Sequence, residues 1–156
     1  MHDLAALAAR WQAASLQLPV PAPVEALEAF RATTQLVLPD DLAHYFRTLN
    51  GAGALADENF FSFYSLEHFE SVERKLANWP DSSGYRDLQH VLVQPHTCYV
   101  FADYFISLME YGIRLYPYPT EHNEIYTLCE GKYKVVAHSF SEFIGLYLAD
   151  FEQLLQ

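Results

Sequence analysis

The chain has 156 residues, of which 51% are hydrophobic and 15% aromatic, with 20 acidic and 9 basic side chains and a net charge of −11. That apolar content excludes a disordered chain, and the length suits one domain with a single core. The charge argues against a nucleic-acid binder, which needs Lys and Arg to replace counterions, and against anionic membrane surfaces, while it permits a basic protein partner.

Leu4, Leu7, Ala8 and Trp11 recur at helical spacing, so residues 3–16 read as a short amphipathic helix. The prolines of LPVPAP, residues 18–23, enforce an extended connector. Pro23 then suits the first turn of a second helix with a Val24, Leu27, Phe30 stripe, extended by Ala26 and ending near Gln35. Pro39, Asp40 and Asp41 start a third helix, with Leu42, Tyr45, Phe46 and Leu49 on one face and Asn50-Gly51 as its stop. Residues 1–23 thus form a leading helix and connector, and residues 24–156 the core of a single domain.

Phe60 to Tyr64 read as a short aromatic strand. Ser65 is placed to cap a helix with the stripe Leu66, Phe69, Val72, Leu76 and Trp79. Its other face, with Glu67, Glu70, Glu73, Arg74 and Lys75, reads as solvated. Residues 80–87 read as a surface loop, and Val91 to Val93 as a short strand.

The stretch Thr97–Leu115 carries two strand patterns. From Cys98 to Ala102 both faces are apolar, with Cys98, Val100 and Ala102 on one side and Tyr99 and Phe101 on the other, as in a strand covered on both faces. Asp103 marks the expected turn, since a buried unpaired carboxylate is costly. Met109, Tyr111, Ile113 and Leu115 then alternate with Glu110, Gly112 and Arg114, which predicts a half-exposed neighbour.

A loop, YPYPTEHNE, covers residues 116–124. Ile125–Cys129 and Tyr133–His138 form a hairpin about Glu130-Gly131, with Tyr133, Val135 and Ala137 expected on one face. Ser139 and Glu142 form a capping box for a closing helix with the stripe Phe140, Phe143, Ile144, Tyr147, Leu148, Phe151 and Leu155. The order predicts an α+β single domain with a mostly antiparallel sheet of about four to six strands packed with helices.

No reaction motif stands out. The seven histidines form no HExxH, HxH or Cys-His cluster. His44 and His68 read as polar helix-face residues and His138 as a strand end. His122 with Glu121 and Glu124 is the nearest to a ligand group, so a small metal-dependent enzyme stays as a lesser alternative; no metal and no cofactor is assigned. Cys98 and Cys129 sit in predicted strands, where thiols are usually small core hydrophobes, and neither has a cation nearby in sequence to activate it. Ser139 beside His138 is explained by capping, there is no GxSxG elbow, and NGAG lacks the frame of a phosphate loop. Two thiols without a disulfide pattern suit a reducing cytoplasm. MHDLAALAARW lacks the basic n-region of a secretory signal, and no apolar run approaches a membrane span.

What remains is a surface for a protein. Tyr116, Tyr118, Glu121 and Glu124 share one loop, with Glu110 on the adjoining strand. Tyrosine supplies contact area at low entropy cost, and carboxylates complement a basic partner. The competing reading folds Tyr116 and Tyr118 back onto the sheet edge.

Three stretches resemble the SUKH superfamily, which includes bacterial toxin-immunity proteins and fungal cell-wall-assembly regulators. LPDDLAHYFRTLNGAG, residues 38–53, is similar to its Leu-Pro, amphipathic helix, Asn-Gly segment. YVFADY, residues 99–104, is similar to its central strand, and VVAHSFSEFIGLYL, residues 135–148, to its last strand and closing helix. NGAG stands where Asn-Gly-Gly is commoner, and the 116–124 loop matches no signature of the family. The resemblance implies an SUKH-like α+β fold with no catalytic motif. It further implies an immunity protein that occludes a cognate toxin with a basic catalytic domain, possible nucleases included, or alternatively a regulatory scaffold that binds cellular proteins.

Overall fold

The two-sided apolar run beginning at Cys98 is the centre of the sheet. The computed structural model describes residues 2–53, 55–78, 87–88 and 90–156. Trp79 and most of the loop expected over 80–87 lie outside these. Along the chain run α1 (His2–Ala13), α2 (Val24–Thr34), α3 (Asp40–Thr48), β1 (Phe61–Phe63), β2 (Glu70–Ser71), α4 (Val72–Asn78), β3 (Cys98–Tyr104), β4 (Met109–Arg114), β5 (Ile125–Cys129), β6 (Lys132–Ala137) and α5 (Phe140–Asp150). Short 3-10 turns at Leu66–His68, Pro95–Thr97 and Phe151–Leu155 complete them. The strand order is β1-β3-β4-β5-β6, with β2 also on β3, and every pairing is antiparallel. Single-domain α+β architecture follows. Among the described residues, no helix is long and apolar enough to cross a membrane.

One face of the sheet carries the main core. Leu4, Leu7 and Trp11 of α1, Leu42, Tyr45 and Phe46 of α3, and Phe140, Phe143, Ile144 and Tyr147 of α5 bury against it. The rings meet edge to face, for example Phe101 and Phe143 at 4.9 Å and 88°. Buried phenols find acceptors: Tyr111 donates to the Leu154 carbonyl at 2.8 Å, and Tyr147 donates to Asp57. Ser139 caps the closing helix as predicted, its Oγ accepting from Glu142 N at 3.0 Å, while Glu142 reaches back one residue beyond the cap, its Oε2 accepting from His138 N at 2.7 Å. Asn50-Gly51 does more than stop α3. Asn50 donates to the Val20 carbonyl and accepts from Leu66 N, while Gly51, at φ +93, sits where a Cβ would lie 2.8 Å from Ser65 N. The NGAG segment is therefore a latch between the connector and β1.

Several expectations need correction. Residues 65–79 are not one helix. Phe69 belongs to the main core, whereas Val72 belongs to a smaller cluster on the opposite face with Leu88, Leu92, Cys98, Val100, Tyr126 and Leu128. A continuous helix would put Phe69 and Val72 on one stripe; β2, paired with Tyr99 and Val100, instead carries the chain past the sheet edge from one face to the other. The cap of α4 is accordingly Ser71, whose Oγ accepts from Arg74 N at 3.1 Å, and not Ser65. The expected strand at Val91–Val93 is a helical turn followed by a bend. The α2 stripe is thin: Leu27 and Phe30 are half-buried and Val24 is exposed.

Irregularities in pairing shift two side-chain sets. The β3–β4 register slips between Val100 and Ala102, so Ala102 joins Phe101 in the main core. The β5–β6 register slips between Ile125 and Tyr126, so Ala137 turns to the main core, away from Tyr133 and Val135. Asp103 is no turn residue; β3 continues to Tyr104 and the turn is 105–108. β4 is buried on both faces, because α4 and the smaller cluster cover the side expected to meet water. The closing helix tightens to 3-10 after Asp150, and Leu154, not Leu155, is the fully buried residue there.

Candidate functional site

Two groups of polar residues leave β4, one at each end, and they differ in exposure. The first lies under α4. Glu110 is only 4% exposed, and Lys75 Nζ approaches its Oε1 at 3.6 Å while lying 5.1 Å from the centre of the Tyr64 ring. Tyr64 in turn donates to Asp103 Oδ2 at 2.5 Å. Burial pushes the Glu110 carboxyl up, and Lys75 only partly offsets this. Burial, and next the bond to Asp103, push the Tyr64 phenol well above its ordinary range. Glu110 is therefore removed from the partner-facing set in which the sequence placed it. Lys75 is likewise not a solvated face residue.

The second group is the 116–124 loop. Asn123 anchors it from within: its backbone N–H donates to the His138 carbonyl at 2.8 Å and its side chain to the Arg114 carbonyl at 3.0 Å. Val37 N donates to the Tyr116 carbonyl at 2.8 Å, tying the loop to the segment before α3. Tyr116 donates to Glu124 Oε2 at 2.5 Å and stacks on Tyr118 at 5.4 Å. Desolvation, then the bond to Glu124 and its charge, hold the Tyr116 phenol far above its usual range. His122 approaches Glu124 Oε1 at 3.9 Å and stacks on His138 at 4.8 Å. Glu121 and Tyr118 are exposed, while Tyr116 and Glu124 are half-buried. Tyr116 folds back, and Tyr118 stands out on it.

A cleft of about 710 Å³ adjoins the loop, with Arg31, Asp40, Asp41, Pro119, Glu121 and Ser139 among its walls. Sequence reasoning assigned Asp40 and Asp41 to capping α3. Asp41 Oδ1 does accept from Leu42 N at 2.8 Å in the first turn of α3, and its Oδ2 also accepts from the N–H and hydroxyl of Ser141 at 2.8 and 3.0 Å, so that it bonds the first turn of α5 as well. The adjacent carboxylates in VLPDD were the available signal; their placement opposite Glu121 depends on packing between elements far apart in sequence.

Among the described residues, no group of three or more His, Cys, Asp and Glu side chains could hold a metal ion. Burial pushes the Cys98 thiol up to about 12 despite Arg114 nearby, and burial and then Glu130 raise that of Cys129. Neither is an activated nucleophile. The arrangement can offer ring area and negative charge to a partner.

No curated protein matches the chain. The model of the SMI1 / KNR4 family (SUKH-1) matches residues 21–145, a span that runs from the connector before α2 through all six strands into α5. By that match the chain belongs to the SMI1 / KNR4 family (SUKH-1).

Proposed function

We propose that the chain is a non-enzymatic, cytoplasmic immunity protein that binds the basic catalytic domain of a cognate bacterial toxin and occludes its substrate cleft. The carrying observation is the anchored loop that stacks Tyr118 on Tyr116, bonds Tyr116 to Glu124, and sets Glu121 on a cleft that also bears Asp40, Asp41 and Arg31. Such a face is built before the partner arrives, so little ordering entropy opposes binding. A net charge of −11 favours rapid capture of a cationic surface. The partner-facing set is Tyr116, Tyr118, Glu121 and Glu124.

The test is coexpression with toxin-like neighbouring reading frames, followed by affinity measurement at low and high salt. One dominant partner with a basic catalytic domain is expected, bound more weakly at high salt and inactive in the complex. Tyr118→Ala combined with Glu121→Lys should weaken binding by about tenfold to a hundredfold. A tight partner that stays active in the complex rules out occlusion. Several weak partners and no toxin would favour the regulatory scaffold.

A further inference from the structure

At the other end of β4 the turn 105–108 carries an exposed apolar tip. Ile106 is 94% exposed, and Phe60, Phe105 and Leu108 are each more than half exposed. Phe60 and Phe105 meet edge to face at 5.7 Å. Phe105, Ile106 and Ser107 take φ of +51, +52 and +63, and Phe60 takes +67. Side chains with a Cβ avoid that region, bulky and β-branched ones most of all. Three hydrogen bonds nonetheless hold the tip. Phe105 N donates to the Phe60 carbonyl at 2.9 Å, Leu108 N to the Phe105 carbonyl at 3.2 Å, and Ser107 N to Asp103 Oδ1 at 3.3 Å. Asp103 is itself buried and held by the Tyr64 hydroxyl. A strained backbone, over-determined by its surroundings, holds apolar side chains out in water, and such strain collects at binding elements.

The surroundings specify what would cover it. A hollow of about 470 Å³ beside Phe60 is walled by Tyr104, Phe151 and Leu155, and its charged wall residues are Glu58 and Glu152. We propose that this tip is a second docking element: Phe105, Ile106 and Leu108 enter an apolar socket, rimmed by Lys and Arg, on a folded protein partner. Glu58 and Glu152 pair with that rim. An anionic bilayer would meet the same carboxylates with like charge, and a second copy of this chain would bring Glu58 and Glu152 against themselves. The six residues of β4 hold the tip roughly 20 Å from the 116–124 loop, so the two elements engage separate surfaces.

Photo-crosslinking from Ile106→p-benzoyl-phenylalanine in the full chain, within source cells, identifies the partner, which is then purified and titrated. Ile106→Glu and Ile106→Gly should each weaken its binding by about tenfold or more. Ile106→Gly should at the same time raise the melting temperature, because glycine adopts positive φ freely; a merely structural side chain would lower both. Parallel assays use phosphatidylcholine–phosphatidylglycerol vesicles and sedimentation of the chain alone. The inference is overturned by Ile106-dependent vesicle binding, by an Ile106-dependent dimer, by the absence of any crosslinked protein, or by affinities within about twofold of the parent's. If the loop pair Tyr118→Ala/Glu121→Lys weakens toxin binding and the tip variants weaken nothing, the tip fails and the immunity reading stands.

Discussion

On one face of the sheet Phe63, Phe101, Tyr111 and Phe143 meet ring against ring, and α1, α3 and α5 close over them. On the other face, Glu110 and Arg114 emerge among Cys98, Val100, Tyr126 and Leu128, beneath the short α4, about two turns long, and the 3-10 turn before β3. Arg114 Nη1 donates to the Gln94 carbonyl and to Thr97 Oγ1, both at 2.7 Å, and its guanidinium lies 5.3 Å from the centre of the Tyr126 ring. The first face depends on buried area, which is non-directional. The second depends on individual charge pairings, with Glu110 Oε2 left without a hydrogen bond among the described residues, and removal of a single partner there leaves another group buried and unpaired.

The sharpest break of the first face is Phe143→Ala. Its ring touches Phe63, Phe101 and Tyr111, all of them buried. The expected loss is near the upper end of about 3–5 kcal/mol for a buried Phe, read as a shifted urea midpoint with unchanged slope. A loss below about 2 kcal/mol would mean the ring cluster can collapse and is less tightly packed than its contacts indicate.

The second face breaks through its charges. Lys75→Met removes the cation beside Glu110, and the expected loss at neutral pH is about 3 kcal/mol, with most of it recovered in Lys75→Met/Glu110→Leu. pH sharpens the same point. Glu110 has its carboxyl pushed up in the folded protein by burial, so the native state holds that proton more tightly than the unfolded chain does. Its contribution to stability is therefore full below the unfolded carboxyl range, about 4.3, and is lost as pH rises through the higher folded value. Glu110→Gln should accordingly look better relative to the parent at pH 7 than at pH 4. A difference between parent and variant that stays constant across that range would show that Lys75 and Glu110 compensate each other fully.

The contrast between faces also explains what the sequence revealed. Period and capping signals identified α3, β5 and α5, because Leu42, Tyr45 and Phe46 or Phe140, Phe143 and Ile144 bury against one face at a regular spacing. They failed where the chain changes face. Phe69 and Val72 fit a helical stripe in the sequence but serve opposite cores. Ala102 and Ala137 break period two because the ladders slip beside them. Glu110 looked solvent-facing because its cover, Lys75, comes from an element 35 residues earlier (110 against 75). For the candidate site, the loop composition pointed to Tyr118 and Glu121, while the cleft with Asp40 and Asp41 and the tip at Ile106 are products of tertiary placement. The tip's positive φ values fall on Phe, Ile and Ser, for which no local rule predicts a left-handed turn.

Gly112 marks where the second face has no room at all. A Cβ there would lie 2.8 Å from Cys98 Sγ, with Tyr99 O at 3.5 Å and Leu128 Cδ1 at 3.6 Å. Only the sulfur is closer than ordinary contact, so the two positions are coupled and not independently packed. Gly112→Ala should cost about 1–3 kcal/mol as overpacking. Cys98→Ala should cost less, since it leaves a small void. In the double variant the new methyl group occupies the space the sulfur leaves, and alanine also loses less chain entropy in a strand than glycine. Gly112→Ala/Cys98→Ala should therefore be at least as stable as Cys98→Ala alone. Simple additivity of the two losses would mean that β3 and β4 move apart to admit the methyl group, and that the second face yields by backbone shift.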